Sequence, residues 1–196
     1  AAALAGRGGR VGLADADAQQ SALGWLGLRP ADLPPIAGLS WAKAGRIGAH
    51  PKKLDWLVID APGALKGARA EALIAEAKAI VTPFQPGLFD RASTERFLAE
   101  IEEIKRIAKG KVGVHLVANR FRGGVRQAEA VAETAAALNR AVTATIPERA
   151  AYASLAATGM TVFDSTRTAH RRLCGPWQPL LDAFAGYTDA ARVPAG

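Results

Sequence analysis

Short, unbroken apolar runs alternate with longer amphipathic stretches along this chain. The runs Val11–Asp15, Trp56–Asp60, Ala79–Phe84, Gly113–Ala118 and Ala141–Ile146 read as strands, and Val11–Ala14 is apolar on both faces as a buried parallel strand is. Between them, Ser21–Leu26, Ala68–Lys78 and Val125–Arg140 carry helix-forming residues with apolar positions at helical spacing. A longer helix is predicted after Asp90 or Ser93 as cap, with Phe97, Leu98, Ile101, Ile104 and Ile107 on one face. Ala1–Ala5 reads as the end of a helix stopped by Gly6, Gly8 and Gly9. Prolines 30, 34, 35 and 51 mark residues 27–53 as a loop-rich connection, with a short helix near Trp41–Arg46. Two helical stretches close the chain, Ala150–Thr158 and Thr166–Ala185, the second interrupted at Gly175-Pro176. Strands alternating with helices predict an α/β fold built on a parallel, doubly wound sheet.

Composition narrows the class. The 196 residues suit one domain, taken as 1–187, followed by a flexible tail over 188–196. A hydrophobic content of 49% against 22% charged residues is globular and excludes a disordered chain. The net charge of +7 favours an anionic partner. Cys174 is the single cysteine, which rules out an internal disulfide framework and is expected to be a small buried hydrophobe in a reducing compartment. No apolar run reaches membrane-spanning length, and Ala1–Arg7 lacks the basic and apolar regions of a signal peptide. The expectation is a cytoplasmic protein.

The chemistry concentrates where strands end. Asp15 and Asp17 follow the first strand, and Asp60 closes the second ahead of Ala61-Pro62-Gly63. Taken singly, an acid there caps a strand, and Asp-Ala-Pro-Gly makes a turn. Together, acids at the carboxyl ends of two parallel strands mark a phosphate-and-metal site, because Mg²⁺ takes oxygen ligands on a rigid edge. The phosphate loop G-x-x-x-x-G-K-[ST] does not occur: Gly6–Gly9 has no following Gly-Lys-Ser/Thr, and Gly110-Lys111 runs on into Val112. Gly6-Arg7-Gly8-Gly9 precedes a strand, which excludes a dinucleotide fingerprint, and no G-x-S-x-G elbow is found. His50, His115 and His170 lie far apart without metal-ligand spacing. Arg120, Arg122 and Arg126 form one basic cluster; Arg167, His170, Arg171 and Arg172 form another.

In order and spacing, these motifs resemble the ParA/MinD family of deviant-Walker-A ATPases. Asp15-Ala16-Asp17-Ala18-Gln19-Gln20-Ser21-Ala22 is similar to the family's D-x-D-P-Q-x-S-A, with Ala18 in place of proline. Trp56–Gly63 resembles its Walker B strand, and Val81–Asp90 its strand and loop of the form vPxqPsxxD. Val117-Ala118-Asn119-Arg120, Ile146–Tyr152 and Gly159–Asp164 resemble three further stretches, so the likeness spans most of 1–164. It implies a P-loop NTPase-like three-layer α/β/α sandwich that binds ATP and Mg²⁺. Asp17 would orient the attacking water, Asp15 would support the Mg²⁺ network, and Asp60 would hold a metal-bound water. Asn119 and the Pro147 backbone would contact adenine.

The resemblance also implies an ATP-dependent homodimer, non-specific DNA binding, a ParB-like or cargo-adaptor partner, and a nucleoid-associated place in the cytoplasm. Arg167, Arg171 and Arg172 are then the expected DNA surface, and no membrane partner is expected. Such a fold needs a central strand and phosphate loop, so an upstream piece of about 20 residues is expected to be missing from the 196. Two other readings stay open: a non-catalytic interaction module of the same fold, and a related nucleotide-dependent synthetase or cellulose-synthesis regulator.

Overall fold

Val11–Asp15 forms the central strand of a three-stranded parallel sheet, and all five of its residues are buried. The computed structural model describes residues 1–42, 48–63 and 67–189. In chain order the elements are α1 (Ala2–Gly6), β1 (Val11–Asp15), α2 (Ser21–Gly27), β2 (Ile36–Ser40), β3 (Trp56–Asp60), α3 (Gly67–Glu76), β4 (Ala79–Phe84) and α4 (Leu88–Glu102). There follow α5 (Lys105–Ala108), β5 (Gly113–Phe121), α6 (Val125–Ala137), β6 (Val142–Pro147), α7 (Ala150–Ala156), α8 (Thr168–Arg171), a 3-10 turn over Arg172–Trp177, and α9 (Gln178–Asp189). They group into two compact units: Ala1–Leu73 with Ala150–Cys174, and Ile74–Arg149 with Gly175 onward.

In the first unit the sheet order is β2-β1-β3. Val11 stands opposite Ile36 and Trp56, and Asp15 opposite Ser40 and Asp60. β1 is apolar on both faces because it has a strand on each side and cover above and below; Val11, Leu13 and Ala14 are all buried. β2 falls inside the stretch expected to be loop. Its Ala-Gly centre and the preceding Pro34-Pro35 have low strand propensity, and the ladder offered by β1 overrides it. Gly38 lets α2 pack closely, since a Cβ would lie 2.9 Å from the Leu26 and 3.0 Å from the Leu23 side-chain methyl of α2. Below the sheet, Arg10 forks onto Asp55 at 2.7 and 2.9 Å and ties the entries of β1 and β3 together. The helix expected near Trp41–Arg46 falls largely on residues 43–47, outside the described residues; Trp41 itself is buried, its N–H donating to the Asp15 carbonyl at 2.8 Å.

The second unit carries the parallel sheet β4-β5-β6 around a core of Phe84, Leu98, Ile101, Leu116 and Ile146. Pro83 sits in β4, at the sheet's edge, where a missing N–H leaves no gap in the ladder. The single long helix expected after β4 is two. Helix α4 starts at Gly87, so Asp90 lies in its first turn, and neither Asp90 nor Ser93 is its cap. Ile104 then turns extended, at φ −70° and ψ 118°, and restarts the chain as α5, whose Ile107 is buried. α9 includes Thr188 and Asp189, and the remainder of the expected tail, 190–196, lies outside the described residues. Both sheets are wholly parallel and helices flank them, the α/β class that the alternation predicts. No described helix is long and apolar enough to cross a membrane.

One tertiary link in the first unit joins the end of α2 to the segment after α7. Arg29 forks onto Asp164 at 2.7 and 3.0 Å, both side chains almost fully buried (5% and 3% exposed). Burial works against the Asp164 carboxylate, but the bonds from Arg29 and from the Thr161 hydroxyl and N–H prevail and hold its pKa below the usual value. Gly159 allows this approach. It has φ +68°, and a Cβ on it would lie 2.3 Å from the Arg29 nitrogen and the Leu28 carbonyl carbon. Those are backbone atoms and cannot swing aside. Gly159→Ala is therefore expected to cost at least about 2 kcal/mol, a drop of several degrees in Tm readable by calorimetry; an unchanged Tm would refute the tight approach.

Candidate functional site

Three of the sequence-predicted acids meet at the carboxyl ends of β1 and β3. Asp15 and Asp60 are register partners, and the Ala16 N–H donates to the Asp60 carbonyl at 2.8 Å, closing the two strand ends together. Asp15 is wholly buried. One of its carboxylate oxygens accepts from the Asp17 N–H and the other from the Leu23 N–H, each at 3.1 Å. The carboxylate thus straps the turn 16–20 between the end of β1 and the first turn of α2, where the helix dipole favours a negative charge. Gln20 completes the turn in the left-handed region at φ 51°, and its side-chain amide donates to the Ser40 hydroxyl on β2. Asp17 lies on the turn itself and accepts from the Gln19 N–H at 3.0 Å.

Asp60 is exposed at the end of β3. Partial burial, then the charges of Asp15 and Asp17, raise its pKa above the usual value. Asp15 and Asp17 lie close enough for their charges to act on Asp60, but both Asp15 oxygens are taken up by backbone N–H groups. Among the described residues no group of three His, Cys, Asp or Glu side chains closes into a direct metal cage.

In the second unit, Asn119 and Pro147 lie at the carboxyl ends of neighbouring strands. The β5–β6 ladder breaks between Ala118 and Phe121 and resumes with Phe121 opposite Pro147. The bulge spans Asn119-Arg120, with Arg120 at φ +53° and its N–H donating to the Asn119 side-chain oxygen at 2.9 Å. Bulges of this kind re-aim side chains at a strand's end and are frequent beside functional sites. The Glu148 N–H donates to the Phe121 carbonyl at 2.9 Å, and the Glu148 carboxylate pairs with Arg122. Arg122 of the first basic cluster is thus partly neutralised; Arg120 and Arg126 are exposed.

The other basic cluster belongs to the first unit. Arg167 precedes α8 as its N-cap, Arg171 ends it, and Arg172 opens the 3-10 turn; all three are exposed. His170 is held against the Ser165 hydroxyl at 2.8 Å. Cys174 is half-buried, its thiol donating to the Val162 carbonyl at 3.4 Å. His115, without an assigned role, is half-buried between the Thr143 and Tyr187 hydroxyls. Sequence reasoning missed Gln20 and Arg29. Gln20 lay inside a quoted motif, but its left-handed backbone gives no composition signal, and Arg29 finds its partner 135 residues away.

No protein-family model and no curated protein matches the chain. Solved structures do. Apo McdA of Cyanthece superposes at a TM-score of 0.70 and 17% identity over 93% of this chain and 90% of that one. The cell-division ATPase MinD of Pyrococcus furiosus gives 0.67 and 18% over 93% and 90%. A plasmid partition protein of Borrelia burgdorferi bound to AMPPNP gives 0.65 and 14% over 93% and 90%. The chain has the fold of MinD, McdA and ParA-like partition proteins, the P-loop NTPase-like fold to which its motifs point.

The acid cluster makes a pH-dependent prediction. Asp60 has a raised pKa in the folded state, so its ionisation costs stability: the cost is absent below the unfolded value of 3.8 and grows as pH rises through the folded value. Asp60→Asn removes that cost. Its Tm is expected to exceed the native Tm at pH 7 and to converge with it in acid, and millimolar Mg²⁺ should raise the native Tm more than the variant's. Equal Tm values across the range would mean that the three carboxylates do not sense one another.

Proposed function

We propose that this protein is a ParA-like ATPase, coupling Mg-ATP binding and hydrolysis to dimerisation and non-specific DNA binding in the partition or positioning of a plasmid, chromosome or protein cargo. The observation that carries the reading is the acid turn: Asp15, Asp17 and Asp60 gathered at the carboxyl ends of two parallel strands, in a fold shared with partition and cell-division ATPases. Phosphoryl transfer asks for positioning and charge neutralisation more than covalent chemistry. Asp60 holds a cation's water shell, Asp17 orients the water that attacks the terminal phosphate, and Asp15, spent on backbone N–H groups, keeps Asp17 in place. Asn119 and the Pro147 backbone take the adenine. Arg167, Arg171 and Arg172 neutralise DNA phosphates, which needs charge and exposure but no base readout. An adaptor of the ParB kind would stimulate turnover.

The 196 residues contain no G-x-x-x-x-G-K-[ST], and that observation favours a second reading, an interaction module of this fold that binds a partner without nucleotide. Steady-state turnover of the natural protein separates the two. Asp17→Ala is expected to bind ATP with native affinity and to lose turnover by at least about a hundredfold. Native turnover in that variant would remove Asp17 from the chemistry, and an absence of ATP binding in the native protein would leave the interaction module.

The DNA surface has its own test. Arg171→Glu combined with Arg172→Glu should weaken DNA binding by at least about tenfold and flatten its salt dependence, with ATP turnover in the absence of DNA unchanged. Undiminished DNA retention at low salt would place the surface elsewhere.

A further inference from the structure

The acid turn and the arginine segment are connected inside the first unit by polar contacts at the two ends of α2 and at Asp164, joined by the intervening backbone. From Asp15 the path runs through the Leu23 N–H into α2. Leu28 ends that helix, and the next residue, Arg29, is gripped on every side. Its guanidinium forks onto Asp164, reaches the Pro34 carbonyl at 3.3 Å and the Gly159 carbonyl at 3.4 Å, and lies 5.6 Å from the ring centre of Trp25 in α2. Asp164 in turn accepts from the Thr161 N–H at 2.8 Å and its hydroxyl at 2.7 Å. Directly after it, the Ser165 hydroxyl bonds His170 and accepts from the Arg167 N–H, so Asp164 sits at the root of the segment that presents Arg167, Arg171 and Arg172.

A short helix moves as a rigid piece, and α2 has only seven residues. Its first turn is held by Asp15 and its far end by a buried, bidentate ion pair. Such a pair is geometrically demanding: the planar fork accepts one arrangement of both partners, and burial penalises any displacement that separates the charges. A link of this kind would pass movement of the turn 16–20 to Asp164 instead of absorbing it along the way. A cation or phosphate that pulls on Asp17 and Asp60 acts at one end of this strut, and the exposed arginines stand at the other.

We propose that the Arg29–Asp164 pair is a positioning pair that couples the acid turn to the Arg167–Arg172 segment, so that occupancy of the acid site sets the geometry of the polyanion-binding arginines. The inference rests on the functional reading above for what occupies each end, but the mechanical link does not.

The test uses Arg29→Met with Asp164→Leu, a replacement that fills the same volume without leaving a lone buried charge. Amide hydrogen exchange is followed in native and doubly substituted protein without ligand. The expected result is exchange faster by about tenfold, an ordinary size for coupling, both at residues 17–24 and at 165–172, with the β1 amides unchanged. Acceleration in only one segment, or an even rise throughout the unit, would overturn the link. DNA affinity is then measured with and without Mg-ATP. ATP should change the native protein's DNA affinity but not the variant's, while each ligand alone still binds the variant. An ATP effect of native size in the variant would overturn the coupling. If the native protein shows no ATP effect, the functional reading fails and the exchange pattern alone decides the link. Should the double variant fail to fold, the charge exchange Arg29→Asp with Asp164→Arg is read by the same exchange measurement, with restored native rates supporting the pair.

Discussion

The buried carboxylate of Asp15 is the constraint on which the first unit depends. A carboxylate taken wholly out of water must find hydrogen-bond donors, and here the donors are backbone N–H groups on either side of a turn. Satisfying them dictates where β1 stops, how the chain turns and where α2 begins. It also places Asp17, half-buried, on that turn, while the pairing of β3 with β1 brings Asp60 beside it. In this way a five-residue strand that ends in Asp15 and is followed by Asp17 forms the frame of a candidate site.

A second constraint follows from the first. Helix α2 lies on β1 and β2, with Leu23 and Leu26 packed closely over Gly38 of β2. Its far end is fixed by Arg29 and Asp164 across the Gly159 approach. Burying an ion pair brings little net stability against apolar residues of the same shape, but it specifies geometry, and here it specifies how α2 meets the arginine-bearing segment. Likeness in fold to a plasmid partition protein and a cell-division ATPase concerns the frame; what the frame does in this protein depends on these side chains.

Much of this was legible in the sequence. The bounds of β1, β3 and β4 follow from unbroken apolar runs, and the acids were identified as a site because they close two such runs. Other features were not legible, for reasons that differ. β2 has the composition of a loop and is a strand only because β1 pairs with it. The helix after β4 carries one apolar stripe, yet it breaks at Ile104, where turning the chain lets Ile107 reach the core. The bulge at Asn119-Arg120 depends on the register between β5 and β6, which neither strand encodes alone. An apolar run is local information; pairing, register and the breaking of a helix are not.

What the sequence by itself determined, then, is the alternation of strands and helices, the α/β class and the identity of the acids, since each is written in contiguous residues and their period. Tertiary structure alone decided that Asp15 is buried and serves the turn while Asp17 stays half-buried and Asp60 exposed, and that Arg29 answers Asp164 across 135 residues. The physical reason is desolvation. A charge's role depends on whether folding takes it from water and on which donors it then meets, and both are settled only when distant segments pack together.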